Sequence, residues 1–597
     1  MMCPLRKATR EIPVECDFCV VGGGMAGMIA AIAAAREGAQ VVLIQDRPVL
    51  GGNASSEIRM HVLGAECSGR RNDVDSRESG ILEEIRLTCA VTNPQRSFPY
   101  WDYILYDFCQ REKNLRVFLN THLESAKVKK GRIEQVLAMR PSTEDVFEIR
   151  ATLFADCSGD GRLGKEAGAD YTVGREAKST YGESLGQERA DRKTQGSSIL
   201  FFTREHDRPM PFVPPSWIRK YPRCEDLPHR SHKSWEYGYW WCEWGGELDT
   251  IKDGDTIRHE LYRIALGVWD HIKNQVDHGA ERWALEWIGA IPGKRESRRF
   301  LGPYVLNQND LQSAVTFPDA VSHGGWTLDD HPPAGIDSPE PACKQIWLDR
   351  MYSIPLRSLF SRNIRNLFFA GRNISASHVA FCSTRVMGTC AAMGQAVGAA
   401  AAVCLEKKCL PMEAADRYIR DIQQTLLRND QFIPGIKNED PTDLARNARI
   451  TASSEQGGYA AGNVIDGVAR MTYDGNHAWH SRPEVKEARI ELDLGPDKRF
   501  SEVHITFDTG LHRPLAISGS QSFSQKMTWG VQPETVRNFR LEAFGPDEWH
   551  VIKEVQNNYQ RKVVLKFDPV AASLLRLTCE PPDETQGVRI YEIRVYA

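Results

Sequence analysis

The chain has 597 residues, of which 41% are hydrophobic and 26% are charged, as expected for a globular protein with two or more domains. Its formal net charge of -4 provides no overall positive field that would attract nucleic acid or anionic lipid. The N-terminus lacks an apolar run of signal-peptide length, and no later stretch of about 18 uncharged apolar residues predicts a membrane span. We therefore expect a cytoplasmic protein whose partners include neither nucleic acid nor a membrane.

The 15 cysteines are scattered, mostly within apolar segments, which favours reduced thiols over a disulfide framework. Cys16 and Cys19 form a CxxC pair that leads into the first predicted strand. Because no second cluster follows at iron–sulfur or zinc spacing, we interpret them as two strand residues and expect no metal site.

The first motif with chemical content is "DFCVVGGGMAGMIAAIAAAREGAQVVLIQDRP", which predicts a strand, a glycine turn, a helix and a second strand. Gly22, Gly24 and Gly27 match a dinucleotide-binding turn, in which a pyrophosphate lies against the backbone and the helix N-terminus. A plain turn is the alternative, but the flanking elements at the right spacing favour dinucleotide binding. The second strand ends at Gln45 and Asp46, and either side chain could accept a hydrogen bond from a ribose hydroxyl.

Further strand ends rich in glycine follow along the chain. "VLGGNASSE" supplies Gly52 and Asn53, and a later strand, "ADCSGDG", carries Asp156 and Gly159. Near residue 370, "NLFFAGRNIS" is another apolar strand, followed by the small-residue helix "STRVMGTCAAMGQAVG".

With "VVGGGMAG", "DRPVLGGNASSEIR", "ADCSGDGRLG" and "SIPLRSLFSRNIRNLFFAGRNISASHVAF", these segments resemble FAD-dependent oxidoreductases of glutathione-reductase-type fold. The resemblance is to a bacterial group frequently found with carbohydrate-degrading enzymes, and it spans most of residues 16 to 430. It implies non-covalent FAD, with the last helix pointing its N-terminus at the flavin. The implied cofactor-binding residues are Gly22, Gly24, Gly27, Gln45, Asp46, Gly52, Asn53, Asp156, Gly159, Gly371, Arg372, Gly388 and Thr389.

The fold class expected is α/β: a Rossmann-type FAD domain with an inserted α+β substrate domain, followed by an all-β, jelly-roll-like sandwich. The predicted boundaries are 1–169 and 353–430 for the FAD domain, 170–352 for the insertion, 431–445 for a linker and 446–597 for the sandwich. "ARITASSEQGGYAAGNVIDG" and "GVRIYEIRVYA" resemble discoidin-like domains of coagulation-factor type C, which implies a carbohydrate-binding module. Trp479 is interpreted either as part of a sugar site in the sandwich loops or as a core residue.

The inserted domain contains "YGYWWCEWGG", residues 237–246, where rings and a carboxylate could form a sugar platform. Tyr239, Trp241 and Glu243 are the predicted substrate residues of this run, and a buried strand that only packs is the alternative. Arg59 and Asn307 are further substrate-binding candidates. Asn307 lies in "GPYVLNQND", where a loop that bonds to its own backbone would have the same composition.

The sequence predicts an enzyme that transfers a hydride between FAD and a hydroxyl-bearing carbon of a sugar or glycoside. His378 in "SASHVAF" and His61 in "SEIRMHVLG" are the expected bases, and Arg385 is expected to act on a hydroxyl or developing alkoxide. An electron acceptor of unassigned identity would complete the cycle. One alternative is redox-neutral glycoside cleavage by transient oxidation and elimination, and another is a carbohydrate-binding protein on a degenerate flavin fold.

Overall fold

The computed structural model describes residues 10–65, 74–483, 485–496, 498–583 and 585–597. The chain divides into two compact units. Unit 1 comprises Met1–Ser68, Arg96–Ile419 and Ala516–Lys526. Unit 2 comprises Gly69–Gln95, Arg420–Leu515 and Met527–Ala597. The domain boundaries given above remain a prediction.

The N-terminal elements are, in chain order, β1 (Arg10–Val21), α1 (Met25–Arg36), β2 (Val41–Ile44), α2 (Ile81–Thr92), α3 (Phe98–Gln110), β3 (Leu115–Phe118), β4 (His122–Lys129), β5 (Arg132–Arg140), β6 (Asp145–Asp156) and α4 (Arg162–Ala167). The middle of the chain forms β7 (Tyr171–Thr172), α5 (Lys178–Tyr181), β8 (Ser197–Ser198), β9 (Phe201–Glu205), β10 (Glu243–Trp244), α6 (Gly254–Asp270), β11 (Trp283–Ile288), β12 (Gly293–Lys294), β13 (Arg299–Phe300), α7 (Gln308–Gln312), β14 (Ala320–Gly324), β15 (Leu328–Asp330), β16 (Lys344–Ile346) and β17 (Tyr352–Pro355).

The remaining elements are β18 (Leu367–Phe369), α8 (His378–Thr384), α9 (Met387–Lys407), α10 (Pro411–Arg417), α11 (Ile419–Arg428), β19 (Arg449–Ala452), β20 (Trp479–His480), β21 (Ala488–Asp493), β22 (Arg499–Phe507), α12 (Gln521–Ser524), β23 (Phe539–Phe544), β24 (Trp549–Val555), β25 (Lys562–Ala571), β26 (Leu574–Cys579) and β27 (Arg589–Tyr596).

The main sheet of unit 1 is mixed, with strand order β3-β2-β1-β6-β5-β4. The strands β3, β2, β1 and β6 are parallel, and β5 and β4 continue the sheet as an antiparallel hairpin. The strand β6 is long enough to pair with β5 through its first half and with β18, in parallel, through its end. This arrangement confirms the predicted α/β class and brings the carboxyl ends of β1, β2, β6 and β18 to one edge.

The helices α1 and α9 pack against each other at backbone distance. A Cβ on Gly394 would lie 2.1 Å from the carbonyl oxygen of Ala26, and one on Gly398 would lie 2.4 Å from that of Ala30. Only glycine allows this approach, because a Cβ contact under 3 Å forces the backbone apart. The small residues of α9 are therefore required for helix packing.

Within the described residues, α9 is the one helix that is long and apolar enough, by length and composition alone, to cross a membrane. The expectation that no stretch of the chain would be long and apolar enough for a membrane span was wrong. Nevertheless, 94% of its most apolar window is buried inside the fold, where it packs along α1.

Unit 2 contains two antiparallel sheets, with orders β19-β21-β26-β23-β24 and β20-β27-β22-β25. Their facing side chains form one hydrophobic core that includes Ile490 and Leu577 of one sheet and Ile505 and Ile593 of the other. This confirms the predicted all-β sandwich. Trp479 is fully buried in this core, and its indole N–H donates to the Ser454 carbonyl, so the core interpretation was correct.

Residues 74–95 belong to unit 2 although they precede most of unit 1 in the chain. Arg77 is fully buried and pairs with Glu83, whose carboxylate also accepts a hydrogen bond from the Thr509 hydroxyl. Tyr591 donates to Asp75 at 2.7 Å. Since a buried charge is tolerated only when paired, these contacts tie an N-terminal segment to the C-terminal unit.

Candidate functional site

A cavity of about 730 Å³ opens in unit 1 where β1, β2, β6 and β18 end. Ligands of open parallel sheets bind at this edge. Nine of the predicted cofactor residues line the cavity: Gly22, Gly24, Gln45, Asp46, Gly52, Asn53, Gly159, Gly371 and Arg372.

The glycines of the first turn are required for different reasons. A Cβ on Gly22 would lie 2.4 Å from the Cys157 carbonyl oxygen, and one on Gly27 would lie 1.9 Å from that of Gly22. Gly24 differs, because its φ of -65° and ψ of 179° suit any residue and a Cβ there would meet nothing within 4 Å. The protein itself therefore does not need glycine at residue 24. The missing side chain leaves room for a group bound in the cavity at the N-terminus of α1.

Gln45 and Asp46 have separate roles in the structure. The Gln45 amide oxygen accepts a hydrogen bond from the Gly23 N–H at 2.8 Å, and its NH₂ group donates to the Val49 carbonyl. Gln45 therefore supports the glycine turn. Asp46 is exposed at the cavity, so its carboxylate is the better placed acceptor for a ribose hydroxyl.

The remaining predicted cofactor residues, Gly27, Asp156, Gly388 and Thr389, do not line the cavity. The Asp156 carboxylate accepts hydrogen bonds from the backbone of Ser158 and Gly164, and thus shapes the turn after β6. The Gly388 N–H donates to the Leu63 carbonyl at 2.7 Å and is not available to a ligand. The N-terminus of α9 still borders the cavity, through Val386 and Met387.

The cations that line the cavity include Arg162, Lys294 and Arg372. Asp160 lies between two of them, 2.6 Å from both the Lys294 ammonium and the Arg372 guanidinium. Although burial raises it, these two cations lower the pKa of Asp160 well below its usual range. The carboxylate therefore stays ionised and holds both cations at the cavity wall.

At its other end the cavity has a polar wall formed by Trp240, Arg295, Asp329, His331, Gln345 and Arg385. The His331 ring lies between two carboxylates, with Nδ1 2.7 Å from Glu243 and Nε2 3.0 Å from Asp329. Arg385 contacts Asp329 at 2.9 Å. The sequence analysis did not identify His331; the only available signal was its place in "LDDH", directly after two carboxylates.

Buried polar atoms without partners provide an independent sign of a ligand. Among the described residues, Trp326 Nε1, Arg385 Nε and Glu243 Oε1 have no hydrogen-bond partner. Trp326 and Arg385 line the cavity, and Glu243 lies directly behind His331. Since buried polar groups are normally bonded, a polar ligand would supply what is missing. Together with the open space at Gly24, these atoms fit a dinucleotide beside a polar substrate.

His61, a predicted base, lines the cavity. Its ring stacks on Tyr237, with ring centroids 5.9 Å apart, and its Nδ1 is 3.3 Å from the Ser518 hydroxyl. Ser518 and Phe523, which also contacts the ring, come from a distant part of the chain that belongs to unit 1. Burial lowers the pKa of His61 to about 4, so the imidazole is neutral at pH 7.

His378, the other predicted base, does not line the cavity. It is buried at the start of α8, with Nδ1 3.1 Å from Glu296 and Nε2 3.4 Å from Asp330. Burial lowers its pKa, but the two carboxylates outweigh this and raise the pKa of His378 to about 9. A histidine held protonated in this way is a poor proton acceptor at neutral pH.

The aromatic run splits between two environments. It is not a continuous strand, because residues 240 and 241 form a turn and only Glu243–Trp244 forms a short strand. Trp240 alone of its rings lines the cavity, with its ring 5.4 Å from that of His331. Tyr239 and Trp241 stack on each other at 4.6 Å within the hydrophobic core of the inserted region. The predicted substrate contacts Tyr239 and Trp241 are thus core residues. Glu243 does not line the cavity, and it contacts the lining residues His331 and Arg295.

Arg59 and Asn307 also lie away from the cavity. The Arg59 guanidinium is 4.2 Å from the Trp287 ring centroid and 4.9 Å from that of Phe202. Asn307 caps α7, where its side chain accepts from the Asn309 N–H. The alternative given for Asn307, a loop bonded to itself, describes it correctly.

Solved structures similar to the chain match its C-terminal, all-β region. Chitosan-binding module 1 of a chitosanase/glucanase from Paenibacillus sp. IK-5 is 17% identical over 26% of this chain and 98% of that chain, with a TM-score of 0.20. The family 32 carbohydrate-binding module of C. perfringens NanJ, in complex with galactose, gives the same values. A Ruminococcus gnavus GH29 fucosidase in complex with fucose is 17% identical over 32% of this chain and 31% of that chain, with a TM-score of 0.21.

No curated protein matches the chain. The profile of one protein family, described as FAD dependent oxidoreductase, matches residues 17–426. This range contains the glycine turn, the inserted region with the polar wall, and both helices that border the cavity. The chain therefore belongs to the FAD dependent oxidoreductase family.

Proposed function

We propose that this protein holds FAD in the cavity of unit 1 and oxidises a hydroxyl-bearing carbon of a sugar or glycoside. The observation that supports this most is the continuity of one cavity, from the glycine turn to the polar wall around His331. A dinucleotide that fills the first part would end beside charged groups and an indole. Those groups suit a polyhydroxylated substrate.

In this proposal, the N-terminus of α1 would face the pyrophosphate of the cofactor, and that of α9 would face its flavin end. Asp46, the backbone at Gly24, and Val386 with Met387 line the cavity, and they would hold the ribose, the pyrophosphate and the flavin ring, respectively. When bound, FAD supplies a two-electron acceptor for the hydride of the substrate carbon.

The hydroxyl proton goes to His61. Both ring nitrogens of His331 already contact carboxylates, so neither is free to contact the substrate. His61 is neutral, and among the described residues its ring is hydrogen-bonded through Nδ1, which leaves Nε2 for the substrate. Its segment also reaches α9, where the Leu63 carbonyl accepts from the Gly388 N–H.

The polar wall orients the substrate. Arg385 is fixed by Asp329 and immediately precedes the first turn of α9, so its charge stabilises the oxygen that becomes a carbonyl. Arg295 lies 3.4 Å from Glu243 and adds a second cation. The Trp240 ring offers a flat apolar face for the C–H groups of a sugar.

Flavin occupancy tests the cofactor site. Gly24→Val should give a folded protein with little bound flavin. The added side chain would occupy space in the cavity, and its Cβ would not clash with any protein atom. The control is Gly254→Val, since Gly254 also faces open space but lies at the start of α6, outside the cavity wall. Absorbance of the purified proteins gives the flavin to protein ratio. Full occupancy in Gly24→Val would contradict the site.

Anaerobic mixing with sugars and glycosides tests the reaction. We expect at least one sugar or glycoside to bleach the flavin absorbance of the purified protein in the absence of any acceptor. A panel in which none reduces the flavin would contradict the proposal. Release of free sugar from a glycoside, with the flavin oxidised again at the end, would assign the redox-neutral cleavage cycle instead.

The pH dependence of flavin reduction separates the two histidines. A base works only when deprotonated, so with His61 the rate should stay level above about pH 5 and fall as the pH drops through about 4. If His378 were the base, the rate of flavin reduction would instead rise with pH up to about pH 9. His61→Asn should slow reduction by about 100-fold or more, whereas His378→Asn should leave the shape of the profile unchanged. The opposite pattern would return the role to His378.

Adjacent tryptophans provide a matched pair for the substrate platform. Trp240→Ala should weaken substrate binding by about tenfold while flavin stays bound, because a stacking contact of about 1 kcal/mol is lost. Trp241→Ala should instead lower the free energy of unfolding by about 3 to 5 kcal/mol, since this ring is core. The apparent Kd from flavin bleaching and the melting temperature check both. Unchanged substrate affinity in Trp240→Ala would contradict the platform.

A further inference from the structure

Four side chains of metal-binding type converge in unit 1 outside the cavity wall: Cys224, His232, His271 and His278. Each directs one ligand atom to a common point, and the four atoms lie within 4.8 Å of one another. Cys224 begins a short 3₁₀ turn, His232 lies in the following loop, and His271 begins a π-helical turn, His271–Gln275, that ends α6.

The hydrogen bonds of the rings fix where their lone pairs point. His271 Nδ1 is 2.7 Å from the Tyr221 carbonyl oxygen, and His232 Nδ1 is 2.8 Å from that of Arg230. A carbonyl oxygen only accepts, so both Nδ1 atoms must carry the proton. In the neutral rings, each Nε2 therefore presents a lone pair to the centre of the cluster.

These lone pairs face each other. The Nε2 atoms of His271 and His232 are 3.3 Å apart, and those of His271 and His278 are 3.2 Å apart. Of these two contacts, only the one with His278 can be a hydrogen bond between neutral rings, because His232 and His271 both present lone pairs. A cation at the centre would turn this repulsion into coordination. Carbonyl groups that hold the far nitrogen are also the usual outer partners of histidine ligands.

Three of the six distances between the ligand atoms are close to those of tetrahedral coordination. For Zn–N bonds of about 2.05 Å, the edge of a tetrahedron between two nitrogens is about 3.3 Å, and with a sulfur at about 2.3 Å the N–S edge is about 3.6 Å. The observed N–N distances are 3.2 and 3.3 Å, and the Cys224 Sγ to His271 Nε2 distance is 3.8 Å. Three imidazoles and one thiolate at this spacing favour zinc among divalent metals.

We propose that Cys224, His232, His271 and His278 bind one Zn²⁺ as a closed, structural N₃S site. Binding replaces the thiol proton of Cys224 with the metal, and that proton passes to solvent. The ion fastens the segment 224–232 to the end of α6. That segment runs directly into the aromatic run, so the site braces the turn that carries Trp240.

Metal analysis of the intact flavoprotein tests the proposal. Protein produced with added zinc and then dialysed should retain about one zinc per chain. The Co²⁺-substituted protein should show the visible absorption of a tetrahedral site, at wavelengths beyond the flavin bands. Cys224→Ser and His232→Gln change side chains that are not fully buried, so they should fold, yet they should lose the zinc on dialysis. His229→Gln, an exposed histidine of the same segment, is the matched control and should keep it.

Two results would contradict the proposed zinc site. Wild-type protein that holds no zinc after dialysis, and gives no tetrahedral Co²⁺ spectrum, would reject the site. Zinc that remains at the same level in both ligand variants would reject it as well, since the metal would then bind elsewhere. If a variant is poorly folded, the wild-type protein is titrated with Co²⁺ and then treated with a chelator, and its melting temperature is recorded at each step. A melting temperature that falls by several degrees with chelator and recovers with metal supports the site, and an unchanged melting temperature rejects it.

Discussion

The backbone contact between α1 and α9 is the constraint on which the site depends. Gly394 and Gly398 allow α9 to lie against the carbonyls of Ala26 and Ala30, which fixes the two helices side by side along most of their length. As a result, both N-termini border the same cavity, one at Gly24 and the other at Met387. In the proposed FAD complex, these two positive helix ends would face the diphosphate and the flavin ring. A bulkier residue at either contact would separate the helices and with them the two halves of the site.

Charge balance determines what the polar groups near the cavity can do. His331 and His378 each lie between two carboxylates. At His378, burial lowers the pKa, but the two carboxylates outweigh this and raise the pKa to about 9. His61 has aromatic neighbours instead, and its ring stays neutral. His61 and His378 are thus kept in opposite charge states at pH 7. The neutral His61 can accept a proton, whereas His378 is already protonated.

Much of the fold could be predicted from the sequence because its signals are local. The glycine turn, its flanking strand and helix, and the alternating strands of the sandwich are each contained within short segments. Residues 74–95 and 516–526 could not be assigned in this way, since each belongs to the unit from which it is distant along the chain. His378 was placed near the site by sequence proximity, but the start of α8 directs it to Glu296 and Asp330. The cytoplasmic location stays a prediction.

The aromatic run shows why composition alone does not separate a platform from a core. Tyr239, Trp240 and Trp241 are chemically equivalent candidates, and only the turn in the backbone directs the middle ring to the cavity. The position of this turn depends on the segments that flank it. The cluster of Cys224, His232, His271 and His278 joins one of these segments, residues 224–232, to the end of α6. Their separations along the chain match no short metal-binding pattern, because the ligands come from a loop and from the end of a helix that the fold brings together. A metal at that point would couple the core rings, Tyr239 and Trp241, to Trp240, the ring of this run that lines the cavity.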